Sequence, residues 1–273
     1  MGQTGSFLLP LAALLAAGAG AGFAGGLFGI GGGFVVVPAL MLILPLLGTE
    51  PDQLTHVAVG TSLASIIFTS IRSVNAHARR GAVDFELLRT WAPWVVIGTV
   101  LGTWVADMIS SATLAIIFGV GVLLFAVHFL TPALHDRRVA AAMPDGTTRA
   151  GLAGGLGLLS ALLGIGGGTI TTVVMTMCGA PIHRAIGTAS GMGAIIAFPG
   201  AVGFMVIGFM APGLPWGSVG YVNLPAALAI IVTSVLVAPL GVAAAHKLSA
   251  PLLRTVFGFY LIFVGITMIA NGQ

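Results

Sequence analysis

Leu27-Phe28-Gly29-Ile30-Gly31-Gly32-Gly33 and Leu162-Leu163-Gly164-Ile165-Gly166-Gly167-Gly168 carry the same pentapeptide, Gly-Ile-Gly-Gly-Gly, each time inside a long uncharged apolar stretch. Glycine at these positions interrupts a membrane helix at the same place in two halves of the chain. A Gly-interrupted apolar segment that recurs in both halves points to a transporter's substrate site, because broken helices leave free backbone groups near the bilayer midplane.

Composition sets the environment around that pair. Apolar residues make up 58% of the 273 and charged residues 6%, with a mean hydropathy of +1.11. Soluble proteins carry about 25% charged residues, so this is an integral membrane protein. Its apolar runs exceed the length of about 18 residues that a spanning helix needs and show no period-2 alternation, which predicts an all-α fold and excludes a barrel. A single cysteine, Cys178, excludes an internal disulfide and any cysteine metal cluster. The six histidines never fall at helical metal-pair spacing, so no metal is expected. Gly20, Gly22 and Gly25 satisfy G-x-G-x-x-G, but no strand precedes them and no acidic residue follows at dinucleotide spacing, so no cofactor is expected either. The N-terminus, Met1-Gly2-Gln3-Thr4-Gly5-Ser6, lacks the basic region of a signal peptide, and the first apolar run is expected to stay in the protein. The pI near 9.8 rests on three net charges and reports membrane orientation, not nucleic acid.

The second half repeats the first. His56-Val57-Ala58-Val59-Gly60-Thr61 matches His183-Arg184-Ala185-Ile186-Gly187-Thr188, and Leu101-Gly102 and Phe118-Gly119 match Leu240-Gly241 and Phe257-Gly258. Each unit reads as a broken element and three spans: 6–47, 54–77, 88–108 and 112–131 in the first repeat (1–131), then 149–179, 183–209, 224–246 and 250–270 in the second (149–273). Residues 132–148 form the one strongly polar connector, expected to be cytoplasmic.

The broken element decides the topology. As one helix, 6–47 would run about 60 Å against a hydrocarbon core of about 30 Å. The two legs of the second copy would reach only about 22 and 17 Å. Both lengths predict a hairpin that dips in, turns at the glycines and returns to its starting face. A returning hairpin plus three spans makes the two repeats inverted and puts both termini outside. All ten basic residues then share the inner face, as the positive-inside rule favours; if the broken element crossed once, Arg184, Lys247 and Arg254 would lie outside.

Helices restart behind the glycines at Phe34 and Thr169, and a helix N-terminus offers free N–H groups and a partial positive charge that suit an anion. Glycine also lets backbone approach a ligand closely. The candidate substrate-binding residues are therefore Gly31, Gly32, Gly33, Phe34, Gly166, Gly167, Gly168 and Thr169. Thr61, Ser65 and Arg72 join them from one face of the following span, as do Thr188 and Ser190 in the second repeat. For the hydroxyls the plain alternative is inter-helix bonding, and for Arg72 it is snorkelling to the inner surface. His56 and His183 are candidates for proton transfer or gating, or simple helix-end contacts. All seven acidic residues fall in loops or span ends, so the intramembrane carboxylate common in cation-coupled carriers is missing. Outward movement of an anion is already driven by about 2.3 kcal/mol per charge per 100 mV.

The two Gly-Ile-Gly-Gly-Gly runs, Pro38, Gly60-Thr61-Ser62-Leu63-Ala64 and Arg79-Arg80-Gly81 before Val83-Asp84 together resemble the sulfite exporter TauE/SafE family over almost the whole chain. That resemblance implies a multi-pass cell-membrane transporter exporting a small sulfur-containing anion, sulfite or an organosulfonate. The second repeat departs from the pattern: it lacks a counterpart of Arg79-Arg80-Gly81, and its loop-to-Gly-Thr spacing is 19 residues instead of 27. The expected partners are a small anionic solute, the lipid bilayer and, as a homo-oligomer, a second copy of the chain. The competing reading is an anion channel of the same architecture; no paired acid and base supports an enzyme.

Overall fold

The computed structural model describes residues 3–131, 140, 142–245, 247 and 250–271. Most of the expected polar connector, and the last residues at both ends of the chain, lie outside the described residues. Among the described residues the fold is all-α apart from one two-stranded ribbon. Its helices are α1 Gln3–Phe28, α2 Gly33–Ile43, α3 Pro51–Ala78, α4 Phe85–Asp107, α5 Ser111–Leu130, α6 Gly146–Leu163, α7 Gly168–Met177, α8 Ile182–Ile207, α9 Leu224–Ala245 and α10 Ala250–Asn271. Among the described residues, five apolar stretches are long enough to cross a membrane: Leu8–Phe28, α3, α5, α8 and α9. The protein is a multi-pass membrane protein. The ribbon, β1 Ser218–Val219 against β2 Val222–Asn223, was not expected from sequence; it turns at Gly220, whose φ of 54° suits glycine.

Both helix breaks fall at the pentapeptides, and the backbone shows why. Gly29, Gly31 and Gly32 have φ of 70°, 69° and 87°, and Gly164, Gly166 and Gly167 have 59°, 64° and 67°. Residues with a Cβ resist that region, so the chain leaves the helix, turns and restarts only because glycine stands at the first, third and fourth positions. Between them Ile30 and Ile165 are almost wholly buried. α2 then runs back along α1, with Gly31 and Gly32 against Gly25 and Val35 against Gly20.

Small residues let the helix backbones meet, which is how helices associate in lipid. α1 and α9 run parallel: a Cβ on Gly18, Gly22 or Gly26 would lie 2.8 Å from Ile230 Cα, 2.6 Å from Ser234 Cα or 2.9 Å from Val242 N. α4 and α6 are parallel too, with Gly98 on Gly154, Gly102 on Leu158 and Gly157 on Val95 and Thr99. α3 and α8 are antiparallel, Gly60 meeting Phe204, Leu63 meeting Gly200 and Ser70 meeting Gly193. α5 and α10 are also antiparallel, Gly119 meeting Gly265 and Ile269, and Leu130 meeting Gly258. Every one of these closest pairs joins a helix from before the connector to one from after it.

Candidate functional site

The two glycine loops pack tip to tip at the centre of the bundle. A Cβ on Gly33 would collide with Gly164 O and stand 2.6 Å from Ile165 Cα; one on Gly168 would collide with Gly29 O and stand 2.7 Å from Ile30 Cα. Cβ atoms on Gly31 and Gly166 would each meet the same Ile66 Cγ2 at 2.8 Å. The N-termini of α2 and α7 thus come together; Val35 N and Val36 N already donate to Gly32 O and Thr171 N to Gly167 O, and the amides ahead of these are the ones a helix start leaves without an intrahelical acceptor. Of the sequence candidates, Gly31, Gly32, Gly33, Phe34, Gly166, Gly167, Gly168 and Thr169 are gathered here. Phe34 turns its side chain into an aromatic cluster with Phe125 and Phe257, and its carbonyl accepts from Tyr260 Oη at 3.1 Å.

The other candidates are placed elsewhere. Thr61 Oγ1 accepts the backbone N–H of Asn223 at 2.9 Å, and Thr188 Oγ1 that of Asp84 at 2.8 Å. Asn223 and Asp84 cap the following helices in turn: Asn223 Oδ1 accepts from Ala226 N and Asp84 Oδ1 from Leu87 N. The glycine before each threonine completes the arrangement, since a Cβ on Gly60 would strike Tyr221 O and one on Gly187 would strike Ala82 O. Each Gly-Thr pair therefore clamps the start of the second of the three spans of the opposite half, α9 or α4. Ser65 Oγ donates back to Ser62 O, and Ser190 Oγ lies between Ile186 O and Ser73 Oγ. Arg72 is exposed on α3, and His183 is exposed at the start of α8. His56 is buried with Nε2 donating to Ala106 O at 2.9 Å and its ring 4.9 Å from Tyr221. It lines a cavity of about 450 Å³ together with Asp52, Asp107, Ser110, Ser111 and Tyr221. Burial, and then the nearby Asp107 charge, hold the Tyr221 phenol above its usual range.

The face of α3 that meets the loops is the one beside the expected stripe. Ser62, Ile66, Ser70, Ser73 and His77 recur at three and four residues and are all buried. Ser62 Oγ donates to Gly164 O at 2.9 Å, Ile66 touches both loops, and His77 Nε2 donates to Gly26 O at 3.2 Å. Serine and histidine at this spacing were visible in sequence and could have nominated the face. What hid it is that the parallel stripe Thr61, Ser65, Thr69 is equally polar, yet it turns towards Asn223 and, through Thr69 Oγ1, towards Ser234 Oγ at 2.8 Å on α9. Among the described residues no group of three or more His, Cys, Asp or Glu side chains could hold a metal ion.

A family model described as sulfite exporter TauE/SafE matches residues 14–268. A probable membrane transporter protein of Haemophilus influenzae is 34% identical over 256 residues, covering 93% of this chain and 96% of its own. One from Methanocaldococcus jannaschii is 30% identical over 271 residues, covering 96% and 97%, and the probable membrane transporter protein YunE of Bacillus subtilis is 26% identical over 92% and 94%. No solved structure matches the chain.

Proposed function

The chain belongs to the sulfite exporter TauE/SafE family of membrane transporters, and on that premise we propose that it exports a small sulfur-containing anion, sulfite or an organosulfonate, bound beside the paired glycine loops. The observation that carries this reading is the meeting of two helix N-termini at the bundle centre, with uncharged amides and hydroxyls around them. Such ends favour an anion through the helix dipole and unbonded N–H groups. Neutral donors hold an oxyanion without the lock of a full countercharge, which suits a solute that must leave again.

The same reading includes inverted halves, with both termini outside a plasma or inner membrane. Helix directions support it. Returning hairpins make α3 antiparallel to α8 and α5 antiparallel to α10, with α1 parallel to α9 and α4 parallel to α6, and all four relations hold. If each broken element crossed the bilayer once, α3 and α8 would run the same way. One half rocking against the other around the loops then gives alternating access.

The test is flux into proteoliposomes of the purified full-length protein. Sulfite uptake that saturates and is accelerated by sulfite on the far side is expected. Ohmic, non-saturating current would establish a channel instead. A protein whose melting is raised by none of sulfite, thiosulfate and a simple sulfonate would overturn the anion assignment.

A further inference from the structure

We infer that the oxyanion site is one-sided: its hydroxyl donors are Ser70 on α3 and Ser160 and Thr169 on the second hairpin, while the first hairpin supplies backbone and packing. The inference rests on the anion reading above and adds Ser70 and Ser160 to it.

Hydroxyls in this bundle follow a rule. Thr69 donates to Ser65 O, Thr99 to Val95 O, Thr103 to Val100 O, Thr171 to Gly167 O and Thr176 to Thr172 O, each satisfied one turn back on its own helix. Thr49 and Thr172 break the rule, and so do Ser70, Ser160 and Thr169. The side chains of these last three are 0%, 0% and 1% exposed, and their hydroxyl oxygens have no hydrogen-bond partner. A buried hydroxyl without a partner is costly, more so where no water reaches.

All three stand at the glycine loops. Ser70 Oγ lies 3.2 Å from the place a Cβ on Gly31 would occupy and 2.5 Å from that on Gly193, and Gly193 in turn borders Gly166 O. Ser160 Oγ lies 2.8 Å from the Cβ position of Gly167. Thr169 belongs to the first turn of α7. The missing Cβ atoms therefore let Ser70 and Ser160 bring their hydroxyls close against the loop backbone, which leads into the first turn of α7.

The repeat supplies the second argument. At the spacing of 135 that relates the two loops, Ser160 and Thr169 correspond to Gly25 and Phe34. At the spacing of 127 that relates the two Gly-Thr pairs, Ser70 corresponds to Ala197. A hydroxyl needed by the framework is found in both copies, as the Thr61 and Thr188 clamps are. These three occur in one copy only. Three hydroxyl protons beside a positive helix end form a donor set for the oxygens of a sulfur oxyanion, with contact concentrated on the second loop.

The experiment measures sulfite affinity and ligand-free melting of the full-length protein carrying Ser70→Ala, Ser160→Ala or Thr169→Val. A bond from a hydroxyl to a charged oxygen predicts a loss of about tenfold or more in affinity for each variant. Because each change removes an unsatisfied hydroxyl, the ligand-free protein should melt at the same temperature or higher. Ser160→Thr, which keeps the hydroxyl, should restore affinity lost by Ser160→Ala. Affinities within twofold of wild type would overturn the inference, as would a loss of ligand-free stability large enough to account for weaker binding. Wild-type protein that binds none of sulfite, thiosulfate and a sulfonate would instead overturn the anion reading, whatever the variants do, and this inference with it.

Discussion

Replacing Gly33 and Gly168 by alanine, singly and together, tests the tip-to-tip packing of the loops. Neither residue has a positive φ, so the substitution adds no backbone strain and the effect is steric. The new Cβ atoms would stand 2.6 Å from Ile165 Cα and 2.7 Å from Ile30 Cα, where ordinary van der Waals contact begins at 3.4 Å. Each alanine thus requires the loops to part by about 1 Å, and because both neighbours are backbone, no side chain can swing aside. Overpacking of this kind costs about 1–3 kcal/mol, and the immobility of the neighbours puts the expected single-variant loss in the upper half of that range. Since one displacement relieves both collisions, the double variant should lose little more than either single one, a coupling of about 1–3 kcal/mol. Gly155→Ala is the control: it is helical, nothing lies within 4 Å of its Cβ position, and it should gain about 0.5–1 kcal/mol. Denaturation of the purified protein in detergent reads all four variants. Additive losses to within about 0.5 kcal/mol, or Gly33→Ala behaving like Gly155→Ala, would refute the packing argument.

Thr61→Val leaves the Asn223 amide unpaired at a residue 1% exposed, so a loss of about 1–3 kcal/mol is expected; Thr188→Val should cost less, because half-buried Asp84 can be reached by water. Equal losses in the same denaturation assay would contradict that account. Cys178, the lone cysteine, follows α7 on the face that inverted halves place inside, so a membrane-impermeant maleimide should label it from the inner side only. Burial pushes its thiol up, so labelling should be slow at neutral pH and rise beyond the ordinary thiol range; rapid labelling from the outer side would refute the orientation.

What the sequence could disclose follows from which forces are local. The apolar runs and scarcity of charge dictate membrane helices, and the glycines dictate the breaks, because a φ of 59–87° is a demand made by one residue on itself. Partner choice is different. The spacing of Gly18, Gly22 and Gly26 shows that a backbone comes close, but nothing in it says that the backbone belongs to Ile230, Ser234 and Val242. Thr61 and Thr188 read as a polar lining because a hydroxyl on a helix does not announce its acceptor role towards amides 162 and 104 residues away. Ser70 and Ser160 carried no separate signal, since being unpartnered is a property of the packed bundle and not of a residue type.

The parallel contact of α1 with α9 also bears on how the protein is made. The notch of Gly18, Gly22 and Gly26 emerges from the ribosome more than 200 residues before the surface that fills it. Until α9 arrives, that strip of bare backbone faces lipid, although α3 has met α8 and α4 has met α6. The late helix therefore seals the beginning of the chain, and a chain stopped before Leu224 is left with an open seam along its first element.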